Sequence, residues 1–105
     1  MSYTPFTPTY KYAELATEAL PSVASSTQIF VNAPAATKEI VLTLRTAGIT
    51  YTLDGSAATA GGTGHDLALN STTSPYVLPY DYTQALLVRA IQNGGTATGT
   101  ITYRG

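Results

Sequence analysis

Apolar and polar residues alternate most cleanly at the end of the chain, where Ala97, Gly99, Ile101 and Tyr103 take every second place between Thr98, Thr100, Thr102 and Arg104. A period of two sends the two sets to opposite faces of a strand, so this segment predicts a half-buried strand with its threonines outward. Ile40, Leu42 and Leu44 repeat the pattern against Val41, Thr43 and Arg45, and Ile49, Tyr51 and Leu53 repeat it against Thr50 and Thr52. The short Thr46-Ala47-Gly48 connection makes these two runs read as a β-hairpin. Asp54-Gly55, a dipeptide that tolerates positive φ, ends the second run. Residues 85–91 (ALLVRAI) are apolar on both faces apart from Arg89, as in a central strand covered from two sides, and Asn93-Gly94-Gly95 then makes a turn.

The remaining signals are shorter. Ile29, Phe30 and Val31 predict a strand stopped by Asn32, Ala33 and Pro34. Residues 67–69 predict another. The prolines of residues 75–80 (PYVLPY) confine that segment to a sheet edge. Residues 11–20 fit one helical face through Tyr12, Leu15, Ala16, Ala19 and Leu20, and alternation fits them nearly as well; continuity with an otherwise β chain favours the strand. At the front, Pro5 and Pro8 stand between Tyr3, Phe6, Tyr10 and Tyr12, which predicts an extended arm with aromatic anchors. Such an arm packs back on its own domain or lies across a neighbour. Six to eight short strands with turn signals between them indicate an all-β fold, a single antiparallel β-sandwich of immunoglobulin-like or jelly-roll-like type over residues 13–105, with the arm at residues 1–12.

Composition agrees with this pattern and narrows the partners. The chain has 105 residues, room for one domain, and only 10% of them are charged. Threonine, the commonest residue, replaces the missing charges, and its β-branched side chain suits a pleated surface. A net charge of −1, with five Lys and Arg spread from Lys11 to Arg104, offers no basic stripe for nucleic acid. Cysteine is absent, so no disulfide or thiolate site exists and stability must come from the core or from self-association. The first residues lack a charged n-region followed by an apolar run, and no stretch approaches the ~20 apolar residues of a membrane helix. These features predict a protein with neither an export signal nor a membrane partner.

Few residues invite chemistry. The single histidine, His65, stands near Asp66 and Asp54, a set open to reading as a metal or acid–base site. All three come from one loop, residues 54–66, and no nucleophile or second ligand element is singled out, so a structural role is expected for Asp54, Gly55, His65 and Asp66. Asp54 should bond the amides of its own turn, and His65 should close the loop on a backbone carbonyl. Gly61, Gly62 and Gly64 lack the lysine of a phosphate loop. A long glycine-rich loop in a compact domain signals a functional or interface segment. Glu14 and Glu18 read as a solvated pair. Eight tyrosines without tryptophan suit either sugar stacking or protein contact, and contact is the preferred role for Tyr3, Phe6, Tyr10, Tyr12, Tyr76, Tyr80 and Tyr82. No catalytic residue, cofactor or metal is expected.

The segments YTLDGSAAT, GTGHDL and TATGTITY occur in that order within residues 40–105. Over about two thirds of the chain this order resembles small bacteriophage virion structural proteins of the capsid-decoration or head type. In that group a Y-T-x-D-G-S/T turn precedes a glycine-rich loop ending in G-H-x-L and a closing T-A-T-x-x-I-x-Y strand. The chain departs from the pattern at Ala58, where proline often precedes the threonine, which bears on the stiffness of the loop. A weaker likeness links YTLDGS and LLVRAI to immunoglobulin-like modules of secreted carbohydrate-active enzymes. The initial Met1, the missing signal segment and the end just after Tyr103 favour the virion reading. The resemblance implies a non-enzymatic protein located in the virion and made in the host bacterial cytoplasm. It would bind copies of itself, as a cyclic homo-oligomer such as a trimer, and a major capsid or other virion protein. A tail, neck or fibre-base position is the alternative.

Overall fold

The computed structural model describes residues 12–69, 75–80 and 87–105. Among them eight strands form two antiparallel sheets and no α-helix occurs, so the chain is the all-β sandwich that alternation predicts. Sheet I has the order β1-β8-β3-β6, from β1 (Glu14–Ala19), β8 (Gly99–Arg104), β3 (Glu39–Leu44) and β6 (Tyr76–Pro79). Sheet II has the order β2-β7-β4-β5, from β2 (Thr27–Gln28), β7 (Arg89–Asn93), β4 (Gly48–Thr52) and β5 (His65–Leu67). The arm residues Tyr3, Phe6 and Tyr10, together with Tyr82, lie outside the described residues.

Period two decides the core. Ile40, Leu42 and Leu44 of β3 and Ile101 and Tyr103 of β8 point to one side of sheet I and are buried there. Ile49 of β4 and Ala90 of β7 meet them from sheet II, with Leu20, Val23, Ile29, Phe30, Ala47 and Ala97 filling the ends. Full burial of each large member contributes about 1.5–3 kcal/mol, which is how a domain without disulfides holds together. The ambiguous segment at residues 11–20 is strand β1, whose register with β8 sets Thr17 opposite Thr102 and Glu18 opposite Ile101. Edge strand β6 also stands where its prolines confine it.

Several expectations are corrected. The two runs joined by Thr46-Ala47-Gly48 are not a hairpin: β3 belongs to sheet I and β4 to sheet II. Ala47 is buried inside the corner, so the connection carries the chain from one layer to the other instead of returning it alongside. The strand placed at Ile29–Val31 is the two-residue β2 at Thr27–Gln28; Ile29 and Phe30 fill the core just beyond it, and Val31 is exposed. The strand of residues 85–91 is β7, later by a few residues, and it is an interior strand of sheet II. The strand at residues 67–69 is β5, which starts at His65 and takes that residue out of the loop. Glu18 is not half of a solvated pair, because it accepts hydrogen bonds from the Tyr103 hydroxyl and from Asn32 Nδ2 at 3.0 Å.

Candidate functional site

The two outer faces of the sandwich differ. On sheet II the segment between β4 and β5 folds back across β4 and covers it. Thr50 and Thr52, which period two puts on the face opposite Ile49 and Tyr51, are 0% and 4% exposed. A buried hydroxyl is tolerated only with partners, and Thr50 has a full set. It donates to Asp66 Oδ1 at 2.7 Å and accepts from Gly61 N at 3.1 Å and Asn93 Nδ2 at 3.2 Å. Thr52 donates to the Ser56 carbonyl at 2.6 Å, and Ser26 Oγ accepts from Ala58 N at 3.0 Å, which fastens the loop to the β2 side. Gly64, at φ +126°, returns the chain to β5 so close to β4 that a Cβ there would meet the Tyr51 carbonyl.

The sequence-predicted loop residues fall into different roles. Asp54 Oδ1 accepts from the amide of Ser56 at 3.0 Å and from its hydroxyl at 2.5 Å, the turn expected of an Asp-Gly pair, and Gly55 takes φ +84°. Those bonds, the side-chain one foremost, hold the Asp54 carboxyl below its ordinary value. Asp66 serves the Thr50 hub. His65 and Asp66 are consecutive in β5 and so point to opposite faces: the imidazole lies tilted against the Tyr51 ring, centroids 5.6 Å apart, where a backbone carbonyl was expected. The three groups therefore do not converge, and no cluster of three metal-ligating side chains occurs among the described residues. Thr52, Asp54, Ser56, Thr63 and His65 do border an open depression of about 310 Å³.

Sheet I has no such cover among the described residues. Thr17, Thr102, Val41 and Val77 stand in one row across its four strands, and Ala19, Thr100 and Thr43 form the next. The Thr17 and Thr102 hydroxyls bond each other at 3.1 Å, and Val77 is 58% exposed. Among the described residues, charges stand only at the ends of this face: the Glu39–Arg104 pair at 3.5 Å on one side, and on the other Arg45, which reaches Thr100 Oγ1 at 2.6 Å.

Between the sheets, at the β5–β6 side, the described residues leave an opening. An apolar cleft of about 220 Å³ is lined by Ile29, Phe30, Leu42, Ile49, Tyr51, Leu53, Leu67, Leu78, Pro79, Tyr80 and Val88. Of the tyrosines predicted to make contacts, Tyr80 sits edge-on to Phe30 in this cleft, and Tyr76 ties β6 to the β5 side by donating to the Ala68 carbonyl at 2.7 Å. Tyr12 is half-buried and its carbonyl accepts from Arg104 Nη2 at 2.6 Å. Sequence reasoning passed over Thr50, Asn93 and Tyr103. The signal for Tyr103 was its place on the inner row; burial, then its bond to Glu18, pushes its phenol above the ordinary value. No protein-family model, curated protein or solved structure matches the chain.

Proposed function

We propose that this chain is a non-enzymatic bacteriophage virion structural protein, a capsid decoration or head-stabilising component. It acts by forming a cyclic homo-oligomer, a trimer on a threefold lattice site, and by docking on a protein shell. The observation that carries the reading is the outer face of sheet I, whose middle, among the described residues, is made of threonine and valine with charges only at the ends. A face of that kind is easy to desolvate, since buried interface cores are depleted in charge. The likeness of YTLDGSAAT, GTGHDL and TATGTITY to virion proteins points to the same role. A small domain with no disulfide gains stability by mass action when it docks repeatedly on a regular lattice.

The test is light scattering after size exclusion, joined to co-sedimentation with phage particles. An oligomer that pellets with particles is expected, and Val77→Glu with Thr17→Glu should abolish both while leaving the β-type circular dichroism spectrum intact. A monomeric wild type that ignores particles overturns the reading. Retardation on a polysaccharide gel would instead favour a carbohydrate-binding module.

A further inference from the structure

We propose that Asn93 is a site of spontaneous self-modification: attack by the Gly94 amide converts its side-chain amide to a carboxylate, and the product unlatches the glycine-rich loop from sheet II. The reaction needs only water and does not depend on what the protein docks on.

Two features place the reaction here. Of the three asparagines only Asn93 precedes a glycine, whereas Asn32 and Asn70 precede Ala33 and Ser71. Attack on an asparagine Cγ requires the next main-chain nitrogen to swing close to it, and a side chain on that next residue hinders the approach. Gly94 is exposed, takes φ +89° in the turn after β7, and a Cβ built on it would meet no atom within 4 Å among the described residues. The peptide link can therefore rearrange without displacing a packed neighbour.

The bonds balance with water alone. The Gly94 nitrogen loses its proton to solvent and bonds to Asn93 Cγ; the Cγ–Nδ2 bond breaks, and Nδ2 takes up a proton and leaves as ammonia. Water then opens the cyclic imide. Cleavage at Cγ leaves aspartate, and cleavage at the main-chain carbonyl leaves isoaspartate, whose main chain runs through an additional carbon.

The hub around Thr50 makes this position consequential. Asn93 Nδ2 donates to Thr50 Oγ1 at 3.2 Å and to Asp66 Oδ1 at 3.5 Å, while the Thr50 hydroxyl gives its one hydrogen to the same Asp66 oxygen at 2.7 Å. Replacing Nδ2 by oxygen removes both donated bonds and sets a second carboxylate against Asp66. Like charges that close in a partly buried place repel, and the Thr50 oxygen loses a partner. The loop feels this through Gly61, whose amide donates to the same Thr50 oxygen at 3.1 Å and whose Cβ, if it had one, would lie 4.0 Å from Asn93 Nδ2. Isoaspartate acts at the same place by shifting the main chain where Asn93 pairs with Gly48 at the end of β7. Either product frees the loop and uncovers β4.

Full-length protein held for days at mildly alkaline pH, where the amide nitrogen ionises most readily, tests this by peptide mapping. Asn93 should gain the mass difference between an amide and an acid while Asn32 keeps its amide. In the converted fraction, amide exchange at Gly61 should rise about tenfold, the equivalent of one lost hydrogen bond to a charged group. Asn93→Asp should show the same rise without ageing. Adding Asp66→Asn, which restores a donor and removes one of the two facing charges, should bring back most of the protection. Asn93 still intact long after the urea-unfolded chain has converted fully overturns the proposal. So does conversion that leaves Gly61 protected, or an effect of Asn93→Asp that Asp66→Asn fails to reverse.

Discussion

Sheet I and sheet II each have four antiparallel strands and each turn threonines outward, but the two sets of threonines do different things. Thr102, in the middle of sheet I, is half-exposed and shares a hydrogen bond with its neighbour Thr17. Thr50, at an equivalent outward place in sheet II, is fully buried and bonds to three separate segments. The residue type is the same; the cover is not. An outward threonine is plain surface where nothing overlies it. It becomes a structural hub where a loop brings an amide, a carboxamide and a carboxylate to it.

The same substitution made on both faces sharpens this contrast most. Thr50→Val should cost about 3 kcal/mol, the upper part of the range for buried polar partners left unsatisfied, and should lower the urea midpoint at constant slope. Thr102→Val should stay within about 0.5 kcal/mol, as for a surface exchange between β-branched residues. Equal effects would erase the distinction between the faces.

Next in size is Gly64→Ala, which forces a side chain into a positive-φ position against the Tyr51 carbonyl. A loss of about 1–3 kcal/mol is expected, together with faster amide exchange at Gly61 as the cover loosens. Tyr103→Phe, on the inner row of sheet I, removes a hydrogen bond to a carboxylate and should cost about 1.5 kcal/mol. It also changes the alkaline limb. The folded phenol ionises above its unfolded value near 10, so its contribution is complete below that pH and is lost as pH rises beyond it. Melting curves from pH 8 to 11 should therefore fall less steeply in the variant than in the wild type.

The smallest effect belongs to Asp54→Asn at the exposed turn. The folded carboxyl titrates below its unfolded value, so its stabilisation is present above the ordinary carboxylate range and disappears as pH falls through the folded value. Thermal melts between pH 2 and 6 should show a slightly flatter acid limb in the variant, and an unchanged limb would remove Asp54 from the turn's stability.

Much of the fold was legible because alternation is a local property. Ile40, Leu42, Leu44, Ile101 and Tyr103 are where period two puts them, and Asp54-Gly55 and Asn93-Gly94-Gly95 make the turns their φ tolerance allows. Sheet membership was not legible. The turn signal at Thr46-Ala47-Gly48 is compatible with a hairpin or a corner, and only the burial of Ala47 between layers chooses the corner. Nor was the Thr50 hub legible, since its partners Gly61, Asp66 and Asn93 are separated along the chain and meet only once the loop lies down.

By itself, then, the sequence determined that the chain is built of short strands and, for β3, β4 and β8, which of their faces carries the apolar row, because those follow from side-chain period and backbone preference over a few residues. The tertiary structure alone decided which sheet each strand joins, which outer face is covered, and where the apolar cleft opens. Those depend on contacts between residues far apart in the chain, and no local pattern encodes them.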